Sequence, residues 1–478
     1  MRKWLPLVTI CLGAFILLVD VTIVNVALPS MASDLDAPFS ALQWVMDGYA
    51  LALAALLMVA GSLGDLFGHR RLYVAGLGVF AAASLGAALS PNSAVLIAAR
   101  AVQGVGGAAM FATSAALVAA TYHGRDRGVA FGVWGAVNGA AAAAGPILGG
   151  LLTQGFGWQA IFLVNLPVAA IAIVIALRAL PAAGQRGTGR LDLPGATTFT
   201  LAAAALTYAL IRGGDDGWTD ALTLTAFAVA AVAAVAFVLV EARSDHPMLD
   251  LALLRRPGFS GLLGGALLYQ AAAFSGLVYL SLWLQNVLGL SPIRGGLALT
   301  PMAGTAFVVA AIAGRHMHRF PARVPIGGGL FIIGAGCALL ALTVHASSGQ
   351  SSVIAGLAVI GVGVGLTTPV LVSAAVDAVP PHRAGMAGGA VNTARQLGMT
   401  IGIALFGAVF TARLRDVASH GGTPHAAYAS ALDRISLYGA AAGLAGAIAV
   451  FALVRQGRAA DPAPAAGKPA PAPAPATR

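Results

Sequence analysis

Three ionisable residues sit where an apolar chain tolerates few. Asp20 lies inside the stretch CLGAFILLVDVTIVNVALP (residues 11–29), followed closely by Thr22 and Asn25. Arg100 lies inside LIAARAVQGVGGAAMF and Asp47 inside QWVMDGYALAL. A charged side chain within a bilayer costs at least ~2.5–3.5 kcal/mol on insertion scales, so it faces a partner or a water-filled cavity. Counted from the outer ends of their segments, Asp20 is about 8 residues deep, Arg100 about 6 and Asp47 about 4, which places the first two ~12 and ~9 Å down. An acid and a base at matched depth predict a buried pair. Two readings of that pair are open: a carboxylate that carries protons, or a static lock between helices. Intramembrane carboxylates mark ion pathways, which favours the first. Asp47 has a further option, reaching the interface and being hydrated.

The elements that position these residues are membrane spans. Of 478 residues, 59% are hydrophobic and only 9% charged, with a mean hydropathy of +0.87. A soluble domain is about a quarter charged. Windows of roughly 20 apolar residues predict about fourteen transmembrane helices. They fall near 6–28, 43–63, 72–90, 94–119, 129–152, 159–180, 195–212, 219–240, 259–285, 293–313, 325–345, 352–377, 387–411 and 433–455. The first is too long for a signal-peptide core and lacks a cleavage site, so it reads as a retained helix.

The arrangement expected is an all-α membrane protein of two six-helix halves, 1–190 and 246–456, around a two-helix insert with linkers, 191–245. Residues 457–478, rich in Pro and Ala, read as a disordered tail. Lys and Arg set the orientation. With the N-terminus inside, only Arg212, Arg294, Arg413, Arg415 and Arg434 fall in outer loops, so both termini are expected in the cytoplasm. Repeated halves suggest a secondary transporter with its site between them near the midplane.

Several functions are set aside by the same residues. The net charge of +10 resides in short loops between apolar spans, which argues for lipid headgroups rather than nucleic acid. Cys11 and Cys337 fall within spans and the nine histidines are scattered, so no disulfide framework, metal site or cofactor is expected. Lys3 and Lys468 are the only lysines and neither sits in a phosphate-binding loop. No nucleophile–base constellation suggests an enzyme.

Two loops and seams could move. Between the second and third spans runs GSLGDLFGHRRLYVAG, with Gly61, Asp65, Gly68, Arg70 and Arg71 at the cytoplasmic rim. Opposite charges on a short loop can latch one state and release another, although a tight turn with a basic cluster would look the same. Gly145, Pro146, Gly149 and Gly150 interrupt the fifth span; proline removes a helix hydrogen bond, and glycines four apart allow close helix contact. With 61 glycines in the chain, ordinary packing is the competing reading. Tyr269, Gln270 and Phe274, with Asn392, Arg395 and Gln396, are placed to line a substrate cavity, and so are Asn25 and Gln103. Arg395 is a buried cation whose partner the sequence does not name.

These motifs, in this order, resemble a known family. GSLGDLFGHRR is similar to the loop-two signature of the major facilitator superfamily, LIAARAVQGVGGAA to its fourth-helix motif, and GAAAAAGPILGG to the fifth-helix motif associated with antiporters. LLVDVTIVNVALP, WQAIFLVNLP and NTARQLG resemble the fourteen-helix drug:proton antiporter branch. The resemblance covers nearly the whole chain. It implies export of amphipathic, often cationic or antibiotic compounds in exchange for protons, across the bacterial plasma membrane. It places Asp20 in the first-helix motif, Arg100, Gln103 and Gly104 in the fourth-helix motif, Gly145 and Pro146 in the antiporter motif, and Asp65, Gly68 and Arg70 on the inner gate. The chain departs from the pattern at Leu66 and His69, where basic residues are usual, and the second-half loop AGRHMHRFPAR lacks an acidic residue. The expected partners are lipid, a small amphipathic substrate and protons, with the protein a monomer. A dedicated exporter of one metabolite is the alternative, and a non-transporting sensor a weaker one.

Overall fold

The computed structural model describes residues 2–37, 39–181, 192–215, 217–245, 247–316 and 320–454. Among them every regular element is a helix. The first half contains α1 (Leu5–Asp34), α2 (Phe39–Phe67), α3 (His69–Ala88), α4 (Ser93–Thr121), α5 (Gly124–Phe156), and the broken pair α6 (Ala160–Leu163) and α7 (Asn165–Ala179). Then come α8 (Leu193–Asp215), α9 (Ala221–Glu241) and the short α10 (Leu251–Leu254). The second half has α11 (Pro257–Phe274) with α12 (Gly276–Asn286), α13 (Pro292–Ala298) with α14 (Thr300–His316), α15 (Arg323–Thr343), α16 (Ile354–Asp377), α17 (Ala384–Ser419) and α18 (Pro424–Leu453).

The chain starts and stops these helices by ordinary local rules. Asn92 caps α4 by accepting the Val95 N–H at 3.0 Å, and Asp220 caps α9 through the N–H groups of Leu222 and Thr223, both at 3.1 Å. Proline opens α11, α13 and α18, where its missing N–H is no loss. Between α2 and α3 the backbone turns through Gly68 at φ 97°, a conformation that a Cβ would disfavour.

Twelve helices among the described residues are long and apolar enough to cross a membrane. Fourteen were expected. The fifth and tenth expected spans fall on α5 and on α13 with α14, whose described apolar stretches, Ile147–Phe156 and Thr300–Ala313, are too short to be counted. The expected tail and the linker at 182–191 lie outside the described residues. Large apolar side chains such as Val232 (70% exposed) and Leu342 (72% exposed) point outward, as lipid-facing surfaces require.

Within the first half α1 packs on α5 and α7, and α4 on α2 and α3. In the second, α15 packs on α16 and α18, α11 on α17 and α18. Corresponding pairs use the same joint. A Cβ at Gly106 of α4 would lie 2.6 Å from the Phe80 nitrogen of α3, and one at Gly336 of α15 would lie 2.7 Å from the Ile360 nitrogen of α16. Without a hydrophobic drive between helices in lipid, such close backbone approach supplies the contact energy. The halves meet through α5 on α14, and α17 on α2 and α4, while α8 and α9 pair with each other and α8 rests on α2 and α17. The N-terminal face is the end of the bundle at which α1 begins.

Candidate functional site

Asp20 and Arg100 meet. The Arg100 Nη1 donates to Asp20 Oδ2, and the two side chains are 1% and 0% exposed. Four helices complete the cluster. Gln103, one turn beyond Arg100 on α4, donates from Nε2 to Asp20 Oδ1 at 2.8 Å and to Ser84 Oγ of α3 at 2.9 Å, while its Oε1 accepts from Arg100 at 2.6 Å. Asn165 at the start of α7 donates to Asp20 Oδ1 at 3.1 Å. Arg100 Nε donates to the Val45 carbonyl of α2 at 3.0 Å, and its guanidinium carbon lies 4.3 Å from the Tyr49 ring centre. A buried ion pair is tolerated only when its donors and acceptors find partners, and both Asp20 oxygens and the Arg100 Nε and Nη1 do so here.

One expected position differs. Gln103 was expected to face a substrate cavity; it is fully buried inside the first half and spends its amide on Asp20 and Ser84. Asp47 is half-buried on α2, two residues beyond Val45, and has its own interaction. The side chains of Asn25 and Pro146 lie outside the described residues.

The glycines at 145, 149 and 150 form a seam. A Cβ at Gly145 would strike the Thr22 Oγ1 of α1, one at Gly149 would lie 2.8 Å from the Ile23 carbonyl, and one at Gly150 would lie 2.9 Å from Ile293 Cδ1 of α13. The first two press α5 against the turn of α1 that follows Asp20, and the third reaches the second half.

At the N-terminal face Asp65 binds across the halves. Its Oδ1 accepts the Gly385 N–H at 2.8 Å and its Oδ2 the Met386 N–H at 2.7 Å. These are first-turn amides of α17, which have no partner within the helix and carry its positive dipole end. Gly61 permits the approach, because a Cβ there would strike the Gly385 carbonyl. His69 Nε2 is 3.2 Å from Asp65 Oδ1. Arg70 donates to the Leu177 carbonyl in the last turn of α7, and Arg71 is exposed at the same rim. Arg127 of α5 and Asp377 of α16 form a second cross-half contact at 2.7 Å.

A third group sits deeper. Arg395 donates from Nε to Gln270 Oε1 at 3.2 Å and from Nη1 to Asn392 Oδ1 at 3.4 Å. Its guanidinium carbon lies 5.6 Å from the Tyr269 ring centre and 6.0 Å from that of Phe111 on α4. Phe274 meets Tyr269 edge to face at 5.9 Å, and the hydroxyls of Tyr269 and Thr368 are 2.6 Å apart. Gln396 is half-buried one residue on.

The profile of the major facilitator superfamily matches residues 10–403. The chain belongs to the major facilitator superfamily. It is therefore a multi-pass membrane transporter rather than an enzyme. Its relatives within the superfamily include the multidrug resistance protein Stp of Mycobacterium tuberculosis, 38% identical over 86% of this chain and 76% of that one. The methylenomycin A resistance protein of Streptomyces coelicolor is 38% identical over 82% of each chain. The tetracenomycin C resistance and export protein of Streptomyces glaucescens is 36% identical over 87% of this chain and 77% of that one. Among solved structures, the human organic anion transporter MFSD10 superposes with a TM-score of 0.67 at 18% identity, covering 94% of this chain and 99% of that one, which shows the shared fold.

Some members of these clusters were not anticipated. Asn165 had a signal, a lone amide in the apolar run AIFLVNLP. Ser84 and Tyr49 had none, since a serine hydroxyl in a span commonly bonds its own backbone, as Ser84 also does at the Phe80 carbonyl, and Tyr49 is an aromatic ring among apolar residues. Phe111 and Trp134 had no signal either; only tertiary structure brings Phe111 to Arg395.

Proposed function

We propose that this chain exports amphipathic drugs or antibiotics in exchange for protons, as a monomer with no cofactor. Its N-terminal face and both termini lie in the cytoplasm of a bacterial cell, and the membrane is the plasma membrane. In this reading α5 and α13–α14 complete a fourteen-helix set: two six-helix halves, 1–190 and 246–456, with α8 and α9 as an insert between them.

The observation that carries the proposal is the Asp20–Arg100 pair, sealed from water beside the α1–α5 glycine seam. A proton arriving from outside neutralises Asp20, weakens its hold on Arg100 and loosens the cluster that ties α1 to α3, α4 and α7. The seam transmits that change to α5, which touches the second half. The Asp65 contact with α17 closes the cytoplasmic side in the state seen, and its release opens the path for substrate from the cytosol or inner leaflet. One charge crossing ~150 mV supplies ~3.5 kcal/mol. At ~1.4 kcal/mol per tenfold, one proton per neutral substrate sustains a gradient of a few hundredfold. The names of the relatives, which include multidrug resistance and single-antibiotic resistance and export, support the substrate class.

The single-antibiotic names also favour a second reading, a dedicated exporter of one compound. Liposomes containing a pH dye separate the two. A panel of dyes and antibiotics should move protons with wild type and not with Asp20→Asn. Flux that persists unchanged in Asp20→Asn makes the pair a structural lock; response to a single compound selects the dedicated exporter.

A further inference from the structure

The layer around Arg395 points to a class of substrate, an inference that rests on the export reading above. Phe111 of α4, Trp134 of α5, Tyr269 of α11 and Arg395 of α17 each lie about 10 to 12 residues from the N-terminal face, so all four share a depth of ~15–18 Å. This is the middle of the bilayer, and the residues come from both halves.

The chemistry of the layer is one-sided. Every polar partner of Arg395 among the described residues is neutral: Gln270 and Asn392 accept from it, and the Tyr269 and Phe111 rings flank it. Two further donors lack acceptors. The Asn392 Nδ2 and the Trp134 Nε1 are buried without a hydrogen-bond partner, and Trp134 stacks on Phe111 with 5.9 Å between ring centres. A buried donor left unpaired is costly, and a half-buried cation at mid-membrane depth without a counter-charge more so. Asp20 neutralises Arg100 in the first half; the corresponding carboxylate is missing from the described surroundings of Arg395. Both deficits are met by one kind of ligand, an acceptor carrying negative charge.

We propose that this layer binds the anionic oxygen of a planar aromatic substrate, a carboxylate or ionised phenol. Arg395 and Asn392 hold the anionic group, and the ring system lies against Phe111 and Tyr269. Because Phe111 belongs to the first half and Arg395 to the second, the substrate bridges the joint that must rearrange during transport. An inside-negative membrane potential drives such an anion outward, in the same direction as proton exchange.

The test is equilibrium binding to the purified full chain by titration calorimetry, with 2-naphthoate, 2-naphthamide and 2-naphthylmethylammonium as probes. Wild type should bind the carboxylate at least tenfold more tightly than either analogue. Arg395→Gln should abolish that preference and Arg395→Lys should keep part of it. Asn392→Asp, which gives Arg395 an internal carboxylate, should lose naphthoate binding while retaining naphthamide, and stands in if Arg395→Gln does not fold. Equal affinity for the three probes, no naphthoate binding at millimolar concentration, or a preference that survives Arg395→Gln overturns the proposal. The titration needs no proton gradient, so failure of proton coupling in the dye assay is a separate result.

Discussion

The carboxylate of Asp65 holds the backbone N–H of Gly385 at 2.8 Å, joining α2 of the first half to the first turn of α17 in the second. The contact depends on the charge of Asp65 and on the bare backbone of its partner, since a Cβ at Gly385 would strike the Gly61 carbonyl. Hydrogen bonds to a charged group contribute about 1.5–3 kcal/mol each, so Asp65→Asn should shift the population towards the state open at the N-terminal face. Thiol labelling reads the shift: a cysteine placed at the fully buried Ala115 should react with a water-soluble maleimide at least tenfold faster in Asp65→Asn. An unchanged rate removes Asp65 from the gate.

Arg100 is held by Asp20 at 1% exposure, so removing it leaves a buried, uncompensated carboxylate. Breaking such a pair costs ~3–5 kcal/mol. Arg100→Leu should sharply lower the yield of monodisperse protein in detergent. The double variant Arg100→Leu with Asp20→Asn should recover the yield but not proton-coupled flux. Recovery of both would make the pair purely structural.

Gly145 and Gly155 share α5 but not surroundings. A Cβ at Gly145 would strike Thr22, whereas nothing lies within 4 Å of one at Gly155. Overpacking costs ~1–3 kcal/mol. Gly145→Ala should lower the thermal midpoint in detergent and slow transport, with partial rescue by Thr22→Ala; Gly155→Ala should change neither. Equal effects at both positions would mean that the seam has no special role.

Asp220 caps α9 just outside its span. Hydrogen bonds from the Thr223 N–H and from Arg212 hold its carboxyl below the usual carboxylate value. A lowered folded pKa means that the cap contributes fully above the unfolded value of 3.8 and is lost as pH falls through the folded one. Amide exchange at Leu222 and Thr223, corrected for its intrinsic pH dependence, should therefore stay protected at neutral pH and rise only below about pH 4. Asp220→Ala should raise it at neutral pH. Protection independent of pH and of the substitution would show that the cap is idle.

The sequence by itself determined that the chain is helical, lies in a membrane, and carries two charges, Asp20 and Arg100, at matched depth within spans. These properties depend on the solvent around each segment: lipid excludes unpaired backbone and isolated charge, so residue type and span length report them directly. Twelve of the fourteen expected spans stand among the described residues.

Tertiary structure decided the rest. Which face of α4 turns inward sent Gln103 to Asp20 rather than to a cavity. The Asp65 partner is main chain, which has no letter in the sequence. Arg395 and Phe111, far apart in the chain, meet only because α17 packs on α4 across the halves. Helix rotation and closest approach are set by many small residues acting together, and in a chain with 61 glycines no single one announces which helix it will meet.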